Sequence, residues 1–143
     1  TPRGRMNVVT PSIRAGVYLS DKENLDVMML GGRLVVKSLS VRDSYTQDGL
    51  KYVNCSKMFC SCDGLDVEAG VTTAFVEEAR ITNAMMDAAS KVILLVDSSK
   101  IGKSGYGKIC DLSRIDVLIT DAGIPQSVKE RIEEEGVQVI VAE

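Results

Sequence analysis

The chain has 143 residues, of which 45% are hydrophobic and 26% charged, and its formal net charge is −3. That length fits one domain of the usual ~100–200 residues, and the composition excludes a disordered tail, a collagen-like repeat and a coiled coil. The acidic balance offers no general basic face for a phosphate backbone, so the chain alone is not expected to grip DNA or RNA. In chain order, apolar runs occur at Met6–Thr10 (MNVVT), Leu25–Leu30 (LDVMML), Met58–Cys62 (MFCSC), Lys91–Asp97 (KVILLVD), Ile115–Asp121 (IDVLITD) and Val137–Ala142 (VQVIVA). Several are continuous rather than alternating, as strands buried on both faces of a parallel sheet read.

Helical stretches separate the runs. Over Thr73–Ser90 the residues Phe75, Ala79, Met86 and Ala89 share one face, and Glu77 and Glu78 suit the positive end of the helix dipole. A second helix is expected over Ile124–Glu135, with Pro125 in its first turn and Gly136 at its end. Pro11–Leu19 and about Arg42–Val53 are weaker candidates. Lys100–Gly107 reads as turns and Tyr106–Leu112 as a short helix or turn. The alternation predicts an α/β fold with a mostly parallel sheet flanked by helices. No apolar run approaches the ~20 residues of a membrane span. No leader pattern is read, so the expected compartment is the cytoplasm.

The chain contains no His, which removes the usual neutral-pH general base and the commonest metal ligand. Four cysteines, Cys55, Cys60, Cys62 and Cys110, form no Cys-x-x-Cys pair. They are expected to be reduced, small core residues with no metal. Gly102–Gly107 (GKSGYG) fails as a phosphate loop, because Gly107-Lys108 is followed by Ile109 rather than Ser or Thr. No cofactor is expected.

Ligands of open α/β sheets bind beyond the carboxyl ends of the strands. The groups there are Thr10-Pro11-Ser12, Gly31-Gly32-Arg33, Asp63-Gly64-Leu65-Asp66, Asp97-Ser98-Ser99-Lys100 and Thr120-Asp121-Ala122-Gly123. Parallel strands would gather all five on one edge. Hydroxyls, glycine amides, carboxylates and the cations Arg33 and Lys100 suit a small polyhydroxylated anion. The bland reading is that the same Asp, Ser and Gly residues only cap helices and make turns.

Six ordered pieces point to a family: Val8–Ser12 (VVTPS), Met29–Leu34 (MLGGRL), Met58–Thr73 (MFCSCDGLDVEAGVTT), Glu77–Ala89 (EEARITNAMMDAA), Leu94–Ile101 (LLVDSSKI) and Arg114–Pro125 (RIDVLITDAGIP). Over nearly its whole length the chain resembles the C-terminal sensor domain of DeoR-type transcriptional regulators of sugar metabolism. The resemblance implies a fold shared with ribose-5-phosphate isomerases and CoA transferases. It implies a phosphorylated sugar as effector, DNA binding through a separate N-terminal helix-turn-helix, and a homodimer or homotetramer. By the same resemblance Thr10 and Ser12 match a loop near the phosphate, Asp63, Gly64 and Asp66 an acidic loop facing the sugar, and Lys100 a lysine beside the substrate of the isomerases. Gly31, Gly32, Arg33 and Thr72 complete the candidate effector set.

There are departures. Pro11 stands where the family usually has Asn and has no N–H to donate. Arg42 or a neighbour replaces a usual glycine. The helix-turn-helix and the following segment with the first strand and main phosphate loop are not in these 143 residues, so the whole chain, 1–143, is expected to be one effector-sensing domain of a longer protein. In the isomerases a glutamate base precedes the lysine strand. The corresponding stretch here, Arg80–Thr82, has no acid, and Glu77 and Glu78 are offset. That favours a binding site without a catalyst. Two alternatives stay open: a sugar-phosphate isomerase-like enzyme of this fold, and an oligomerisation-only domain.

Overall fold

The six apolar runs become six strands, all paired in parallel. The computed structural model describes residues 4–142, and their contacts gather in two compact units, Thr1–Val53 and Asn54–Glu143.

In the first unit β1 (Met6–Thr10) pairs with β2 (Leu25–Met29), Val8 opposite Val27. The connection between them is α1 (Ile13–Leu19). It starts at Ser12, whose hydroxyl accepts the Ala15 amide at 3.2 Å. A two-residue antiparallel pair, β3 (Leu34–Val35) with β4 (Ser40–Val41), leads to α2 (Ser44–Leu50). Asp43 and Thr46 close a reciprocal capping box at its start.

The second unit has the larger sheet. Its strands are β5 (Met58–Cys60), β8 (Val92–Leu95), β10 (Val117–Asp121) and β11 (Gln138–Ala142), in spatial order β11-β10-β8-β5. The register aligns Cys60, Leu94, Leu118 and Val139 across one face. That row joins the core, together with Ala79 and Met86 of α3 (Val76–Asp87) and Ile132 of α4 (Gln126–Glu134). The continuity of the apolar runs reflects this setting: β8 and β10 are central strands and mostly buried, whereas edge strand β11 is mostly exposed. A second, antiparallel sheet comprises β6 (Gly64–Asp66), β7 (Gly70–Thr73) and β9 (Gly107–Cys110).

Three local expectations need correction. Gly64–Asp66 is a strand rather than a loop. Tyr106–Leu112 is not a helix: Gly107–Cys110 pairs with β7, and only Leu112–Arg114 forms a 3-10 turn. Lys108 faces out between buried Gly107 and Ile109, which is strand alternation. Finally, Phe75 does not share the buried face of Ala79 and Met86. It precedes α3 in extended conformation (φ −124, ψ 133), so helical periodicity does not apply to it, and it is 62% exposed. Pro125 sits one residue before α4, and Gly136, at φ +88, follows its end.

The cysteines are all free, with Cys62 and Cys110 buried and Cys55 and Cys60 partly buried. Burial pushes the Cys60 thiol up to about 12 and those of Cys62 and Cys110 to about 11. Among the described residues no cluster of His, Cys, Asp or Glu could hold a metal ion, and no helix is long and apolar enough to cross a membrane.

Candidate functional site

Among the described residues β1 and β2 form a sheet of their own, so the five strand-end groups are taken unit by unit. Two clusters result, one in each unit.

In the first unit, parallel pairing puts Thr10 opposite Met29, so Pro11-Ser12 and Gly31-Gly32-Arg33 follow neighbouring strand ends. Their local bonds are mostly to their own unit. The buried Thr10 hydroxyl accepts the Ser12 amide at 3.1 Å, and Ser12 caps α1. Gly31 gives its carbonyl to the Thr46 hydroxyl at 2.8 Å, and the Arg33 amide donates to Asp43 at 2.9 Å. Burial alone would raise the Asp43 carboxyl, but amides of Thr46, Arg33 and Tyr45 outweigh it and hold it low. The Arg33 side chain is exposed.

In the second unit, Asp63, Lys100 and Asp121 follow or end three adjacent strands. Asp63 lies between β5 and β6. Its Oδ2 accepts the Thr73 hydroxyl at 2.8 Å and the Ala74 amide at 2.9 Å. These two bonds, with the nearby Lys100 charge, hold its carboxyl below the ordinary range against a smaller burial effect. Lys100 ends the 3-10 turn Ser98–Lys100 that follows β8. Its side chain is half-buried, and among the described residues its ammonium makes no hydrogen bond and no ion pair.

The turn under Lys100 is fastened on both sides. Asp97 accepts the Ser99 amide at 2.9 Å. Asp121, across the sheet, accepts the Ser98 amide at 2.6 Å and the Gly123 amide at 2.8 Å. The Ser98 amide and hydroxyl, then Gly123, lower the Asp121 carboxyl to about 2. Both aspartates therefore act as ionised anchors that fix where Lys100 stands.

Asp66 and Thr72 use their side chains differently, although the Asp63 amide donates to the Thr72 carbonyl at 3.0 Å. Asp66 ends β6, and Asp63 lies in the bend just before that strand. The Asp66 carboxylate caps the β6–β7 hairpin, accepting the amides of Glu68 at 2.9 Å and Ala69 at 2.8 Å. Those amides, Ala69 first, hold it low, with Arg131 adding attraction. Thr72 is buried, and its hydroxyl donates to the Gly64 carbonyl at 3.2 Å while accepting the Gly105 amide at 2.7 Å. At Gly64 a Cβ would collide with the Lys103 carbonyl, so the loop over residues 102–107 lies directly on β6. Thr73 was not among the candidate residues, and Asp121 was read only within the strand-end group Thr120-Asp121-Ala122-Gly123. The signal for Thr73 was the Thr72-Thr73 pair, which alternation on a strand turns to opposite sides.

The parallel sheet flanked by helices places the chain in the α/β class, whose ligands bind at the carboxyl edge where these charged groups stand. A family model described as the DeoR C terminal sensor domain matches residues 2–122. Curated relatives include an uncharacterized HTH-type transcriptional regulator, YulB, of Bacillus subtilis, 33% identical over 96% of this chain and 54% of its own length. A putative aga operon transcriptional repressor of Escherichia coli O157:H7 is 35% identical over 93% of this chain and 49% of its own. The HTH-type transcriptional regulator GlpR of Haloferax volcanii is 33% identical over 92% and 51%. The chain belongs to the DeoR C-terminal sensor domain family. It spans about half the length of the curated relatives it matches.

Proposed function

We propose that residues 1–143 are one effector-sensing domain that binds a phosphorylated sugar and thereby modulates DNA binding by a helix-turn-helix in the same protein. The observation that supports this best is the half-buried Lys100 ammonium, unpaired among the described residues and fixed beside the ionised Asp63. In this reading Lys100 takes the phosphate by charge-assisted hydrogen bonds, and the free Oδ1 of Asp63 accepts from a sugar hydroxyl. Backbone amides of the glycine-rich turns supply further donors. The relatives' printed names, among them an aga operon repressor and an L-fucose operon activator, agree with a role in sugar control. The domain binds without turnover: the stretch matched to the isomerase base is Arg80-Ile81-Thr82. It acts in the cytoplasm as a homodimer or homotetramer, and the effector works by its differential affinity for two states of that assembly.

The test is a thermal-shift screen of the full-length protein against sugar phosphates, with the unphosphorylated sugars as controls. A ligand of the folded state raises stability by about RT ln(1 + [L]/Kd). The expected result is a phosphate-dependent shift that Lys100→Ala and Asp63→Ala each abolish. A flat response across the panel, or one indifferent to both substitutions, overturns the reading.

A further inference from the structure

We propose that Phe75 and Tyr106 form an aromatic face beside Asp63 that selects a sugar phosphate in its ring form over an acyclic one. The inference rests on the effector reading above and names the class of sugar that the site takes.

β7 is the central strand of the β6-β7-β9 sheet. On its β6 side the Asp63 amide donates to the Thr72 carbonyl, and the Asp63 carboxylate takes the Thr73 hydroxyl and the Ala74 amide. On its β9 side the last registered pair is Thr73 opposite Gly107, and the next residues outward are Ala74 and Tyr106. Phe75 follows Ala74 in extended conformation. Asp63 and Tyr106 therefore flank residues 73–75, and Phe75 ends that segment.

Both rings stand in water, Phe75 62% and Tyr106 87% exposed. The loop that carries Tyr106 does not use the ring for its seat. The Gly105 amide donates to the Thr72 hydroxyl. A Cβ at Gly105 would strike the Thr73 carbonyl, and one at Gly107 the Phe75 carbonyl. These close approaches fix the backbone on either side of Tyr106.

A sugar ring presents C–H groups on one face. The negative face of an aromatic ring attracts those hydrogens, and both surfaces shed water on contact. Ligand sites combine such apolar surface with a few polar groups that fix orientation. Asp63 and Lys100 supply the polar part. An acyclic polyol phosphate offers the same charge and similar hydroxyls, so those two residues alone do not tell it from the ring form. It has no rigid C–H face, and ordering its chain costs more entropy. The aromatic pair makes the distinction.

The test titrates the full-length protein by thermal shift with hexose phosphates and the matching hexitol phosphates. At least one ring-form phosphate should bind about 10-fold more tightly than its hexitol. Phe75→Ala and Tyr106→Ala should each cut that preference about 5-fold, with the unliganded melting temperature unchanged. Tyr106→Phe keeps the aromatic face and should keep the preference. If Phe75→Ala lowers the unliganded melting temperature, Tyr106→Ala decides alone. Equal affinity within each pair, or a preference indifferent to the alanine variants, overturns the aromatic face. The effector reading still stands in that case if Lys100→Ala abolishes the shift. No response to any ring-form sugar phosphate also overturns the inference, and a flat response across the wider panel takes the effector reading with it.

Discussion

Thr73 donates its hydroxyl to Asp63 Oδ2 at 2.8 Å, and the Ala74 amide reaches the same oxygen at 2.9 Å. One carboxylate oxygen thus anchors the residue, and in the proposed reading Oδ1 is left for the effector. Removing the anchor without the charge should loosen the geometry only. We expect Thr73→Val to weaken the effector-dependent thermal shift by about 5-fold in apparent affinity, the equivalent of one hydrogen bond of about 1 kcal/mol. Asp63→Ala should remove the shift. Titration of the shift against effector concentration separates the two outcomes.

Three aspartates at this edge, Asp63, Asp97 and Asp121, have carboxyls depressed by bonds they accept in the folded state. A depressed carboxyl stabilises the fold above its unfolded value and loses that contribution as pH falls through the folded one. For Asp121 the window runs from its ordinary 3.8 down to about 2. The melting temperature should therefore fall between pH 4 and pH 2. Asp121→Asn should melt lower than the natural chain at pH 7 but lose less on acidification, as differential scanning fluorimetry over that range will show.

Thr72 is a bolt between β6, β7 and the loop above them. Thr72→Val strips a partner from the Gly105 amide and from the Gly64 carbonyl. An unfolding free energy lower by roughly 1–3 kcal/mol is expected from urea titration. A value near zero would mean that water replaces the hydroxyl.

Thr120 presents the opposite case. Its side chain is 4% exposed, and its hydroxyl has no hydrogen-bond partner among the described residues. Buried polar atoms without partners destabilise a fold. Thr120→Val should raise stability by about 1 kcal/mol in the same urea titration.

Much of the fold was legible because parallel strands buried on both faces need continuous apolar runs. Leu94 and Leu118 sit in such runs, and both ended in the core. The antiparallel pieces were hidden for the opposite reason. β6 and β9 are three and four residues long, and both begin with a glycine, so neither shows a run long enough to read. The site was legible in part. Asp63 and Lys100 stand together because they follow neighbouring strands, β5 and β8. Asp66 was grouped with them by its spacing and by the resemblance, and its carboxylate caps the β6–β7 hairpin. Arg33 was chosen for its charge, whereas its amide is what the structure uses, to meet Asp43.

The bond from Gly105 to Thr72 separates solvent contact from solvent access in time. Gly105 lies in an exposed glycine-rich loop, yet its amide ends on a buried hydroxyl of the central strand of the β6-β7-β9 sheet. Its proton can trade for deuterium only when that strand yields. This loop amide therefore reports the opening of a sheet, and its exchange lifetime belongs with those of β7 rather than with those of its surface neighbours.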